Sequence, residues 1–278
     1  MYRNLYDTDN IIYSPEGRLY QVEYANEAIK QGTCAVAIKS KDFVVVCGLK
    51  KCISKLSFHQ EKLFKIDDYI GVTMSGITSD AKVLTKYMRN ECLTHKFLFD
   101  ENINIEKLVK KVADKYQKNT QKSSRRAFGV GLIIAGYFKE PHIFETKPNG
   151  SYFEYVALSF GARSHASKTY LEKNANLFEE SSLEDLITHC LKALKCSLSS
   201  ENELTVDNTS LAIVGKDKPW EELSSLELVE YLTKVNSEPR NEQIQEEMQN
   251  EASQSNEETG PNQPDAPDAS NAPNAALE

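Results

Sequence analysis

The sequence predicts an α+β protein, a four-layer αββα sandwich in which two antiparallel sheets pack face to face between outer helices. Short Val-rich apolar runs fall in two clusters at strand length, and amphipathic stretches of helical period separate and follow them. Stacking two sheets with helices outside both satisfies that order and buries every one of those apolar faces. A chain of 278 residues with 40% apolar and 27% charged content is long enough to supply such a core.

The elements follow in order. Ser14-Pro15-Glu16-Gly17 has turn chemistry, since Pro presets φ at the second position and Gly closes the fourth. Leu19, Val22, Ala25 and Ile29 then recur at helical spacing, and Gly32 stops the helix. Ala35 to Lys39 and Phe43 to Leu49 read as a hairpin about Ser40-Lys41-Asp42, and Leu63 to Ile66 with Tyr69 to Met74 repeat it. Two helices in series follow, one marked by Leu84, Tyr87, Met88 and Cys92, the other by Ile105, Leu108, Val109, Val112, Ala113 and Tyr116. Strand character returns at Phe128 to Tyr137, His142 to Glu145 and Tyr152 to Phe160. Ser164 to Leu171 and Ser182 to Leu198 read as helices, with Ser181 and Glu184 as a capping box for the second. A strand from Thr209 to Val214 and a short helix from Ser224 to Leu232 complete the domain.

The net charge of −8 is concentrated at one end. From Ser237 to Glu278 there are eight Glu, two Asp and one Arg, so this segment carries −9 and the remaining body about +1. Lacking aromatics and rich in Pro, Asn, Gln and Ala, residues 237–278 are expected to form an acidic disordered tail. The organisation expected is a segment and turn over 1–17, one domain over 18–236 and that tail. No apolar run reaches membrane-span length and the N-terminus has no signal-peptide character, which points to an intracellular protein. Six Cys, at 34, 47, 52, 92, 190 and 196, show no metal-ligand spacing and read as reduced structural thiols; no metal or cofactor is expected. Eight basic residues between Lys107 and Arg126 read as a solvated helix face, because no aromatic platform accompanies them as a nucleic-acid site would require.

Tyr6-Asp7, Ser14-Pro15-Glu16-Gly17-Arg18-Leu19 and Gln21-Val22-Glu23-Tyr24-Ala25 form a long motif at fixed spacing that resembles the N-terminal signature of proteasome alpha subunits. The resemblance continues through Asp67-Asp68-Tyr69-Ile70-Gly71, Ser75-Gly76-Ile77-Thr78-Ser79-Asp80-Ala81, Arg126-Ala127-Phe128-Gly129-Val130-Gly131 and Gly161-Ala162-Arg163-Ser164, covering the chain from about Tyr2 to Leu232. Tyr2-Arg3-Asn4, Arg89-Asn90-Glu91-Cys92-Leu93 and Thr169-Tyr170-Leu171-Glu172 are most similar to the type-1 branch. The resemblance implies the sandwich of N-terminal nucleophile hydrolases, which agrees with the element order above, an order that periodicity alone would also allow in other α+β layouts. It also implies a non-catalytic subunit of the 20S core particle that builds a heteroheptameric ring, gates substrate entry and docks activators in ubiquitin-dependent and other protein degradation. Expected partners are the other alpha subunits, the beta ring and activators such as the 19S regulatory particle, in cytoplasm and nucleus, with neither membrane nor specific nucleic acid.

The beta subunits of that family share the fold and cleave peptides with an N-terminal Thr, so catalysis has to be tested residue by residue. Gly32-Thr33 resembles the bond that beta precursors cleave, and Lys62 falls where they keep a catalytic Lys. A Thr nucleophile needs its proton removed, with a Lys paired to a carboxylate tuning the site. Leu49 occupies the carboxylate position and can neither take a proton nor pair with Lys62. The resemblance instead implies gate and inter-subunit roles for Tyr6, Asp7, Pro15 and Tyr24, and makes Lys62 a pocket lysine for an activator's terminal carboxylate. The plainer readings are that Tyr24 packs, Pro15 shapes its turn and Lys62 is an exposed lysine at a strand end.

Overall fold

The computed structural model describes residues 6–51, 56–199 and 202–237. Its helices and strands form the expected four layers. The turn is as the sequence indicates: Gly17 N–H donates to Ser14 C=O at 2.8 Å, and Gly17 takes φ +77°. Helix α1 (Tyr20–Lys30) follows and buries Val22, Ala25 and Ile29.

Strands β1 (Ala35–Lys39) and β2 (Phe43–Leu49) pair as a hairpin in one sheet, whereas β3 (Leu63–Asp67) and β4 (Ile70–Gly76) pair in the other. The four successive strands are therefore divided between the layers. Helices α2 (Thr78–Phe99) and α3 (Ile105–Thr120) lie on the second sheet, which β5 (Val130–Phe138), β6 (Glu140–Thr146) and β7 (Tyr152–Glu154) extend in the order β3-β4-β5-β6-β7. Strand β8 (Ala157–Phe160) belongs to the first sheet and pairs with β1. After it come α4 (Ser164–Lys173), α5 (Ala175–Phe178) and α6 (Leu183–Cys196), then β9 (Thr209–Gly215), β10 (Lys218–Glu222) and α7 (Ser225–Ser237). The first sheet runs β10-β9-β2-β1-β8, and every pairing in both sheets is antiparallel.

Strand alternation sorts the side chains into layers. Ala35, Ala37, Val44 and Val46 meet Ile133, Ala135 and Ile143 between the sheets. Val72, Met74, Leu132 and Ile134 turn the other way, against Leu84, Met88, Leu108 and Val112 of α2 and α3.

Three expectations need correction. Tyr152 to Phe160 is two strands rather than one, since Tyr155 N–H still bonds Ile143 in one sheet while Val156 C=O already accepts from Lys39 N–H in the other. The cap of α6 is Ser182, whose hydroxyl accepts from Asp185 N–H at 3.3 Å and donates to the Asp185 carboxylate at 2.7 Å; Ser181 Oγ donates to Leu177 C=O instead. The last helix, expected to end at Leu232, continues to Ser237. The predicted disordered tail beyond that residue lies outside the described residues, as do Tyr2-Arg3-Asn4 and Cys52. The described cysteines Cys34, Cys47, Cys92 and Cys190 are buried free thiols. Among the described residues no helix is long and apolar enough to cross a membrane.

Candidate functional site

The signature residues gather around α1. Tyr24 Oη donates to Asp7 Oδ2 at 3.2 Å, and Gln21 Nε2 donates to the Asp7 carbonyl, so the segment before the turn is tied to the helix after it. Partial desolvation and the Asp7 carboxylate raise the Tyr24 phenol above its ordinary value, which keeps it a donor. Both Tyr6 and Tyr24 remain exposed, at 38% and 47%. Pro15 is exposed at the apex of the turn, where Ser14 Oγ accepts from Arg18 N–H at 3.0 Å and Arg18 pairs with Glu23 at 2.6 Å. The structure thus joins Asp7 to Tyr24 within one chain, holds Pro15 in its turn and leaves Tyr6 partly exposed.

Helix α1 packs against β4 and β5, and the chain leaves it through Gly32 and Thr33 to enter β1. Its approach is close: a side chain at Gly32 would run into Ser75 Oγ and the Gly76 amide, and one at Gly131 would press on Ile29. Ser75 Oγ donates to Ile29 C=O at 2.8 Å and also lies 3.3 Å from Thr33 C=O, fixing the exit of the helix.

Thr33 and Lys62 face one another across this junction. The Thr33 hydroxyl donates to Leu49 C=O at 2.7 Å, and its nitrogen is a mid-chain amide. Lys62 is only 3% exposed and donates to Thr33 C=O at 3.1 Å and Met74 C=O at 2.9 Å. Burial lowers its pKa to about 8, with Cys34 opposing slightly. Among the described residues no carboxylate pairs with its ammonium, and Leu49 holds the place an acid would need. The exposed strand-end lysine considered from the sequence is instead a buried cation on backbone oxygens. Among the described residues no general base is positioned on the Thr33 hydroxyl, whose proton is directed to the Leu49 carbonyl.

Lys62 also lines a cavity of about 440 Å³ with Lys50, His59, Glu61, Lys65, Arg89 and Glu222. Arg89 is held there by donating twice to Lys65 C=O, at 2.9 and 2.7 Å. Burial raises the Glu222 carboxyl above its ordinary value, Lys50 lowering and Glu61 raising it further. Sequence reasoning finds Lys62 but misses Lys50, Arg89 and Glu222, which stand on separate elements with no spacing to join them.

Residues 6–28 match the family model for the A-type N-terminal signature of proteasome subunits, and residues 29–214 match that for proteasome subunits in general. The chain belongs to the proteasome alpha-subunit family. It is 45% identical over 240 residues to the alpha type-1 proteasome subunit of Dictyostelium discoideum, covering 86% of this chain and 97% of that one. It is 43% identical over 241 residues to the alpha type-1 subunit of Caenorhabditis elegans, covering 86% and 93%. A probable alpha type-6 subunit of Schizosaccharomyces pombe is 44% identical over 236 residues, covering 84% and 87%. Alpha subunits are the non-catalytic ring of the 20S core, in agreement with Leu49 and the mid-chain Thr33. The chain accordingly assembles with other proteasome subunits.

The basic run on and after α3 is mostly exposed, as a solvated face would be, and much of it is paired within the chain. Lys111 pairs with Glu91 at 2.5 Å, Lys110 with Glu106 at 2.6 Å and Arg126 with Asp80 at 2.6 Å, while Lys107 and Lys115 lie over the Phe99 and Tyr87 rings.

Proposed function

We propose that this subunit takes one place in a heteroheptameric alpha ring on the beta ring, carries part of the entry gate on residues 1–17 and docks activators at the Lys62 cavity. It would work in cytoplasm and nucleus, with the 19S regulatory particle among its activators. The observation that carries the reading is the placement of Lys62. An ammonium has three donors, and two are spent on Thr33 and Met74 carbonyls, which leaves one for a carboxylate entering the cavity. Lys50, Lys65 and Arg89 add positive charge around it, the complement of an activator's chain terminus. The Asp7–Tyr24 bond supports the gate assignment, because it holds the N-terminal segment in one of two arrangements that a neighbour's contact could exchange.

Two substitutions in the assembled particle test these roles. Lys62→Ala should weaken activator affinity by about tenfold, the loss of one charge-assisted bond, with ring assembly intact by native mass spectrometry. Peptide hydrolysis that responds to activator as in the parent particle would remove Lys62 from the docking role. Tyr24→Phe keeps the ring and removes only its hydroxyl; it should lower activator-stimulated hydrolysis severalfold while leaving the unstimulated rate alone. Equal stimulation in parent and variant would assign Tyr24 to packing.

A further inference from the structure

Alternation along β2 turns Val44 and Val46 toward the opposite sheet, so Val45 and Cys47 face outward beneath α6. On α6 the buried stripe of Leu186, Ile187, Cys190, Leu191 and Leu194 comes down on that face and sets Cys190 over Cys47. The two sulfurs are 3.0 Å apart, about 1 Å more than a disulfide bond. Cys47 Sγ also donates to Cys190 C=O at 3.4 Å, and both side chains are fully buried. Nothing in the junction or cavity described above uses this pair.

We propose that Cys47 and Cys190 are an oxidation site, closed by a low-molecular-weight disulfide such as oxidised glutathione into an intrachain bond that staples α6 to β2, and reached only when α6 lifts from the sheet. The closed packing protects the thiols in two ways. Oxidant has no path to them, and burial, with Cys190 adjacent, holds the Cys47 thiol well above its ordinary value, so the attacking thiolate is suppressed. Once the helix lifts, one thiol loses its proton and its sulfur attacks oxidised glutathione. A mixed disulfide forms and one glutathione thiolate leaves. As the helix closes, the second thiol loses its proton and attacks the protein sulfur of the mixed disulfide, expelling the other glutathione. Two protein thiols are oxidised and one glutathione disulfide is reduced to two glutathione thiols. The bond would join two positions far apart in the chain, on β2 and α6, removing much of the freedom of the unfolded chain.

The test incubates the full-length chain in glutathione redox buffers across a urea series below its unfolding midpoint, quenches with acid, alkylates and maps peptides without reduction. Expected is a cross-linked pair of peptides containing Cys47 and Cys190, lighter by two hydrogens, forming about tenfold faster near the top of the series than in native buffer. The cross-linked chain should melt on the order of 5–10 °C higher, and reductant should reverse the gain. Cys190→Ala should abolish both the cross-link and the shift. Glutathionylated peptides alone, cross-links scattered over the six cysteines, or a rate indifferent to urea would each overturn the proposal. The parent chain's peptide map decides the question even where the variant folds poorly.

Discussion

Lys62 carries its charge into the protein at a cost, and its two carbonyl partners offset only part of it. Its folded pKa of about 8 lies below the unfolded value, so between pH 8 and 10.5 the unfolded chain binds more protons and stability rises with pH. The gain is bounded by about 3 kcal/mol, and urea melts from pH 7 to 10 should show it in the parent but not in Lys62→Met. At Asp80 the fold favours the charged form, whereas at Lys62 it disfavours it, and because both pKa values are depressed stability rises with pH at each. Burial alone would raise its carboxyl, but Arg126 and Gly129 N–H hold it below the ordinary value. Arg126 bonds its two oxygens at 2.6 Å and 2.7 Å, and Gly129 N–H donates to it at 3.0 Å. The contribution of Asp80 is present above the unfolded pKa and lost as pH falls through the folded one. Asp80→Ala should cost about 1–3 kcal/mol by denaturant unfolding, because the buried Gly129 N–H loses its acceptor. The signature residues Tyr6, Asp7, Pro15 and Tyr24 are legible in the sequence, lying at fixed spacing in one short stretch. The burial of Lys62 is not, because the burying atoms come from Thr33 and Met74, remote in the chain, and Asp80 is likewise remote from Arg126.

At the scale of elements, periodicity locates the strands and helices that carry a single dominant face. It misses β10, where Pro219 and the flanking charges leave Trp220 as the one buried side chain of an edge strand. It merges β7 with β8 because both halves keep strand composition and no Gly or Pro marks the short step between sheets. Caps are legible only to within a residue where hydroxyls are adjacent, as at Ser181-Ser182. Ser182→Ala should therefore cost about 1 kcal/mol in chemical denaturation, whereas Ser181→Ala should change stability by no more than about 0.5 kcal/mol. Helix α7 opens with a reciprocal box that periodicity does not reveal: Ser224 N–H donates to Glu227 Oε2 at 3.0 Å, and Glu227 N–H reaches back to Ser224 Oγ at 3.5 Å.

For the molecule as a whole, the layer count follows from the order of faces, but the division of the hairpins between sheets does not, since adjacent hairpins pair equally well within one sheet. The sandwich is closed along one side by Trp220. Its backbone N–H donates to Asp68 C=O at 2.6 Å, and its ring lies so close to β4 that any side chain at Gly71 would collide with it. Trp220→Ala should cost about 3–5 kcal/mol, measured as a lowered urea midpoint. Trp220 is also the only tryptophan in the chain, so the indole is a built-in optical probe of how far the two sheets stand apart. Any event that pries them open, whether heat, denaturant or strain transmitted through a ring contact, would shift its emission toward that of a water-exposed indole with no second fluorophore of its kind to blur the signal.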